Sequence, residues 1–258
     1  KCGMSPDSNL LSVLMPVYNE EKTVETIIRQ VLALGSIVKE VVVVDDGSTD
    51  ATQTIVERIA GEDSRVHYHR MPANRGKTAA IAHAIEVAVG EVLIVQDADL
   101  EYDPDEIPAV IAPILEGKAD VVYGSRFMVR RAARVLYFYH YIANSLLTFL
   151  SNLLTNRNMS DIETCYKAFR AGVIKPLKLT SRGFGIEVEI TAMVCKTRVR
   201  TYEVPISYYG RTYEEGKKIG MIDGLAALGY ILYYNLIKPW TPGGRRYIRE
   251  VNRYLRQV

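Results

Sequence analysis

Between Leu10 and Gly124, five short apolar runs rich in Val and Ile alternate with four amphipathic stretches of helical period, and this alternation limits the fold more than any other feature. The runs are 11–17, 40–44, 65–69, 91–95 and 119–123, and the helical stretches are 20–34, 49–59, 76–89 and 105–116. Strands separated by helices of this length make βαβ units, whose strands are buried on both faces in a mostly parallel sheet. The first half is therefore expected to be a doubly wound α/β layer.

Ligands of such sheets collect beyond the carboxyl ends of the strands. The residues just after the runs are Tyr18-Asn19-Glu20, Asp45-Asp46-Gly47-Ser48, Asn74-Arg75-Gly76-Lys77, Asp97-Ala98-Asp99 and Gly124-Ser125-Arg126. All the chemistry of the first half is thus placed on one rim. Alternate side chains of an extended chain share a face, so Asp97 and Asp99 are expected to point the same way. Two such carboxylates repel unless a cation lies between them, and hard oxygen donors suit Mg2+ or Mn2+; Glu101 offers a third. Capping of the helix at 105 explains Asp103 and Asp105 but not Asp97 or Asp99. Capping likewise explains Ser48, Thr49 and Asp50, whereas an Asp doublet at a strand end needs hydrogen-bond donors. Either Asp45 or Asp46 is expected to accept from a nucleobase or ribose. Arg75 and Lys77 flank a glycine at a helix start, a position suited to contact with a diphosphate or ribose.

Several classes are excluded. The chain has no GxGxxG and no GxxxxGK[ST], so a dinucleotide fold or a P-loop has no support. His67, His69, His83 and His140 lack ligand spacing, and neither a Ser elbow nor a Cys-His pair occurs. Cys2, Cys165 and Cys195 are too scattered for a disulfide framework, which favours a cytoplasmic setting. No window of about 18 residues is both free of charge and strongly apolar, so the chain as given is not expected to span a bilayer.

The net charge of +2 hides an asymmetry. Residues 1–125 hold 10 Lys+Arg against 21 Asp+Glu, whereas residues 126–258 hold 22 against 9, so the halves carry −11 and +13. Thirteen of the 17 tyrosines are in the second half. An acidic half suits a cation site; a basic half rich in aromatics suits phosphates or a membrane face. In that half the pattern predicts helices at 135–154, 185–196 and 219–237, a strand around 200–208 and a basic tail. The first and last of these helices suit a bilayer interface, core packing or an oligomer contact equally in their composition. With no internal repeat and no linker, one domain with a C-terminal extension is expected.

Together, Pro16-Val17-Tyr18-Asn19-Glu20, Asp45-Asp46-Gly47-Ser48-Thr49-Asp50, Asn74-Arg75-Gly76-Lys77 and Gln96-Asp97-Ala98-Asp99-Leu100-Glu101 resemble a family 2 glycosyltransferase of the GT-A fold. Ser160-Asp161, Tyr166-Lys167-Ala168-Phe169-Arg170, Glu203-Val204-Pro205-Ile206, Arg211 and Lys217-Lys218 resemble the dolichyl-phosphate mannose synthase branch, whose members move a hexose from a nucleotide sugar to a polyprenyl phosphate. The resemblance implies a GT-A doubly wound sheet with a helical, basic C-terminal extension. It divides the chain into a nucleotide-sugar and metal-binding half, 1–125, and an acceptor half, 126–258. Donor contacts would come from Pro16, Tyr18, Glu20, Asp45, Asp46, Arg75, Lys77, Asp97 and Ala98. The metal, Mg2+ or Mn2+, would rest on Asp97, Asp99 and Glu101.

Acceptor phosphate contacts would come from Arg126, Arg130, Arg131, Arg134, Lys167, Arg211 and Lys217. Asp99, Asp161, Arg126 and Arg131 would carry the inverting transfer. The phosphate would attack without a general base; with a hydroxyl acceptor instead, Asp161 would be that base. The implied setting is peripheral, at the inner membrane face, with a membrane protein or a second copy as partner and no nucleic acid. Thr164-Cys165 and the 183–189 stretch depart from the branch's pattern, which leaves the sugar and the base open.

Overall fold

The computed structural model describes residues 9–128, 137–210 and 221–258. The alternation builds what it predicts: β1 Leu11–Val17, α1 Val24–Ala33, β2 Val38–Asp45, α2 Thr52–Glu62, β3 Val66–Arg70, α3 Lys77–Val87, β4 Val92–Val95, α4 Ile107–Leu115 and β5 Val121–Ser125. On α1, Val24, Ile27, Ile28 and Val31 are buried at the i, i+3, i+4, i+7 spacing that turns one stripe to the sheet. β2 has Val41, Val42, Val43 and Val44 all buried, as a strand covered on both faces must be.

The second half adds α5 Phe138–Thr155, β6 Lys167–Arg170, α6 Ala171–Ile174, α7 Ile186–Cys195, β7 Thr201–Pro205, α8 Met221–Leu232 and α9 Pro242–Tyr254. A π-helical turn, Tyr233–Ile237, and a 3-10 turn, Lys238–Trp240, join α8 to α9. What reads as a basic tail is a capped helix: Thr241 Oγ1 accepts the Gly244 amide at 3.1 Å, and Tyr247 and Val251 are buried.

The seven strands among the described residues form one sheet in the order β3-β2-β1-β4-β6-β5-β7. Pairing is parallel except around β6, which runs antiparallel to both β4 and β5. After β5 the chain leaves the sheet through α5 and returns as β6 between strands already laid down. Both halves of the sequence therefore share one sheet, and the order reverses between β1 and β4, where a crevice is expected.

Candidate active site at the strand ends

The loops after β1 and β2 are stitched together. The Asn19 amide donates to Ser48 Oγ at 3.0 Å, Asn19 Oδ1 accepts from the Thr49 amide at 2.8 Å, and the Glu20 amide donates to Thr52 Oγ1 at 2.9 Å. Pro16 is half-buried on β1, and Tyr18 is exposed above this seam. Both carboxylates of the Asp doublet are buried and answered by the chain itself. Asp45 accepts from the Ser48 amide at 2.7 Å and the Tyr68 hydroxyl at 2.8 Å; Asp46 accepts from the Arg75 and Gly76 amides at 2.8 and 2.7 Å. The donors that the doublet needs are therefore supplied internally, and Asp46 fastens the loop before α3. Glycine is required twice here: Gly76 has φ +88°, and Gly47, at φ +79°, would bring a Cβ within 3.0 Å of the Asn74 backbone nitrogen. The Arg75 side chain is exposed.

β4 stops at Val95, so the extended alternation expected to align Asp97 with Asp99 does not reach them. Residues 98 and 99 form a turn, Ala98 is buried, and Leu100 adopts φ 63°. Asp99 Oδ1 accepts the Glu101 amide at 3.2 Å, and Glu101 Oε2 accepts the Tyr208 hydroxyl at 2.8 Å. Asp97 Oδ2 meets Lys77 Nζ at 2.9 Å; the same ammonium is 3.1 Å from Cys165 Sγ and 3.3 Å from Glu187 Oε1. Burial opposes the charge of Lys77, but Asp97, Cys165 and Glu187 outweigh it and hold the ammonium well above the ordinary lysine range. The hard oxygens of Asp97 and Asp99 are the right donors for Mg2+ or Mn2+, and Lys77 already places one positive charge on Asp97. The three-carboxylate cage is not assembled: among the described residues no three His, Cys, Asp or Glu side chains stand close enough to hold an ion.

Beyond β5, Arg126 forks onto Asp161, Nε to Oδ2 at 2.7 Å and Nη2 to Oδ1 at 2.8 Å. Asp161 is 0% exposed and also accepts the Arg126 amide at 3.2 Å. Glu203 on β7 shapes the approach by accepting from the Ser160 and Asp161 amides. The Arg126 guanidinium lies 5.1 Å from the centre of the Tyr208 ring, and the hydroxyl of that tyrosine is the one held by Glu101. Tyr208 thus joins the carboxylate turn to the Arg126–Asp161 pair. Tyr102 packs between Tyr208 and Tyr166, at 5.3 and 4.9 Å between ring centres. Glu203, Tyr208 and Glu187 were not singled out as side chains from the sequence; their roles come from partners far away in the chain.

Lys167 is inside the protein, 2% exposed on β6, with its ammonium on the Thr164 carbonyl and 5.2 Å from the Tyr123 ring centre. It does not line a surface that an acceptor could approach, because β6 is enclosed on both sides. Burial pushes its pKa down, and burial together with the nearby Glu187 pushes Glu163 up to about 7. Arg130, Arg131, Arg134, Arg211 and Lys217 lie outside the described residues.

α5 presents an apolar stripe to solvent: Phe138, Ile142, Leu146, Phe149 and Leu153 are all exposed, Phe149 at 64%. α8 and the π turn pack beside α5 and extend the exposure through Leu232, Leu236 and Ile237 to Trp240 at 71%. These exposed side chains lie on neighbouring elements rather than scattered singly. No described helix is long and apolar enough to cross a membrane. A separate groove of about 990 Å3 runs between α3 and residues 175–182; it includes Asn74, Arg75 and Gly76 but neither Asp97 nor Arg126.

A model of glycosyl transferase family 2 matches residues 12–177, more than half of the chain. Glycosyltransferase AglJ of Haloferax volcanii is 28% identical over 80% of this chain and 65% of its own length. Dolichol-phosphate mannosyltransferase of Pyrococcus furiosus is 27% identical over 89% and 64%, and dodecaprenyl-phosphate galacturonate synthase of Rhizobium johnstonii is 29% identical over 66% and 50%. The chain thus spans less than two thirds of the length of these relatives. Among solved structures, glucosyl-3-phosphoglycerate synthase of Mycobacterium tuberculosis, in complex with Mn2+, UDP and phosphoglyceric acid, superposes with a TM-score of 0.69 at 20% identity, covering 89% of this chain and 79% of that one. At that identity the likeness concerns the fold.

Proposed function

Because the chain belongs to glycosyl transferase family 2, we propose that it carries out inverting transfer of a hexose from a nucleotide sugar to a polyprenyl phosphate at a membrane face. The observation that carries this reading is the Tyr208 bridge. The Tyr208 hydroxyl is held by Glu101, whose amide is held by Asp99, and its ring faces the Arg126 guanidinium, which supports a donor and an anionic acceptor meeting there. Relatives named for dolichol-phosphate and dodecaprenyl-phosphate support the acceptor class.

The donor would lie over the stitched loops, where Tyr18 is exposed, with its diphosphate toward the start of α3. Asp97 and Asp99 would hold a Mg2+ or Mn2+ ion, which when bound neutralises charge on a leaving diphosphate. Lys77 orients Asp97 and keeps positive charge beneath it. Arg126, fixed by Asp161, keeps a guanidinium at the acceptor side in one orientation. Its neighbours in sequence, Arg130, Arg131 and Arg134, with Arg211 and Lys217, are proposed to complete the phosphate site.

An ionised phosphate attacks the anomeric carbon opposite the leaving group, so no side chain has to take a proton. The geometry of Asp161 supports this over a hydroxyl acceptor: both of its oxygens are engaged by Arg126 in a buried pair, a poor setting for a general base. The exposed stripe of α5 and α8 would rest on the bilayer holding the lipid, with the sugar nucleotide arriving from the cytoplasmic side.

The test supplies the protein with a short polyprenyl phosphate, Mg2+ or Mn2+, and labelled GDP- and UDP-hexoses in turn, with chelator as control. Label is expected to pass into the organic phase with one donor class, and only with the metal present. Release of nucleoside diphosphate without lipid product from any donor would contradict the reading.

A further inference from the structure

The helix that closes the chain carries its charge on one side. Arg245, Arg249 and Arg253 are all exposed, and their spacing of 4 residues aligns them in a single stripe of about 12 Å along α9, with exposed Arg256 just past its end. The opposite side is fixed to the protein by Gly244, Tyr247 and Val251, which are buried, and by Tyr254, which packs on Gly172. Glu250 is the only acidic residue of α9, and it is paired with Arg246 at 2.8 Å, leaving the stripe without an acidic residue of the same helix to offset it.

Nothing in folding requires this arrangement, since like charges on one line repel one another. The stripe also follows the exposed apolar face along the chain. Trp240 and Ile237 lie directly before the α9 cap. On the flank, the Arg198 amide donates to Asn252 Oδ1 at 2.8 Å, and Lys196 Nζ reaches the Leu154 carbonyl at 3.1 Å, at the end of α5 beside exposed Leu153. Segment 196–198 therefore ties the end of α5 to α9, and it carries the Lys196 ammonium and the exposed Arg198 between them. An apolar face bordered by cations is the arrangement of an interfacial membrane contact.

We infer that the α9 arginine stripe binds anionic phospholipid headgroups and so selects negatively charged membrane for the docking of the α5–α8 face. The inference rests on the membrane reading above and adds the lipid class. Each guanidinium near an anionic surface strengthens partitioning, and loss of three is expected to weaken it by about tenfold or more in low salt. Raised salt should weaken it further, because the contact is exposed and screened.

The test measures co-sedimentation of the full chain with vesicles of phosphatidylcholine alone and of phosphatidylcholine with phosphatidylglycerol. It compares the wild type with the triple variant Arg245→Gln, Arg249→Gln, Arg253→Gln. The wild type is expected to prefer the anionic vesicles by about tenfold or more, and the variant to retain neutral-vesicle binding, melting temperature and transfer to a short, water-dispersed polyprenyl phosphate while losing the preference. Equal binding of the wild type to both vesicles would overturn the lipid class and leave the membrane reading standing. A preference that survives in the variant would remove the stripe from it, and failure to bind either vesicle would overturn the membrane reading and this inference together.

Discussion

The rim after β1, β2 and β4 and the surface built by α5, α8 and α9 differ in how their polar and apolar groups are used. On the rim nearly every group singled out by the sequence is held by the chain itself: Asp45 by Ser48 and Tyr68, Asp46 by the loop before α3, Asp97 by Lys77. On the helical surface, Phe138, Phe149, Leu153 and Trp240 have their large apolar side chains in solvent, and three arginines of α9 align without an acidic partner among them. A site that must hold a small, highly charged donor is preorganised by buried hydrogen bonds. A site that must meet an extended lipid leaves its apolar area uncovered until the lipid supplies the cover. Substitutions on the rim should therefore cost stability, and those on the helical face should cost binding.

The largest expected stability effect is at the junction of the two regions. Asp161→Ala would leave the Arg126 guanidinium buried without its carboxylate, and a loss of about 3–5 kcal/mol in chemical denaturation is expected. A change under about 1 kcal/mol would mean that solvent already screens the pair, and would break the contrast between a locked rim and an open face.

A smaller, pH-dependent effect belongs to Glu163, whose pKa burial raises from 4.5 to about 7. The folded state holds that proton more tightly than the unfolded chain, so its stabilising contribution is complete below about pH 4.5 and is lost as the pH rises to about 7, by roughly 3 kcal/mol in all. Glu163→Gln should flatten that segment of the stability profile relative to the wild type, measured as denaturation midpoints from pH 4.5 to 8. Parallel profiles would show that Glu163 keeps an ordinary pKa.

The first half of the fold is legible in the sequence because each βαβ unit states its own period, and the rim follows from the strand ends. Three things were hidden for physical reasons. β6 has four residues with charged groups at both ends, Lys167 and Arg170, and its place depends on strands laid down earlier. Read from motifs, Lys167 looks like a phosphate ligand, whereas the antiparallel insertion of β6 encloses it. The common direction expected of Asp97 and Asp99 assumed a strand that ends at Val95. Tyr208 and Glu203, which join the two sides of the site, act through contacts with residues 42 to 107 positions away. Spacing carries no signal for such pairs.

The central claim is that the acceptor is a phosphate and that no residue has to remove its proton. The most direct measurement compares, with one donor and one preparation, the rate of hexose transfer to a polyprenyl phosphate and to the polyprenol of the same chain length. The account predicts glycolipid from the phosphate and none from the alcohol at any pH tested. Comparable transfer to the alcohol, rising with pH through a carboxylate titration that Asp161→Asn abolishes, would contradict it.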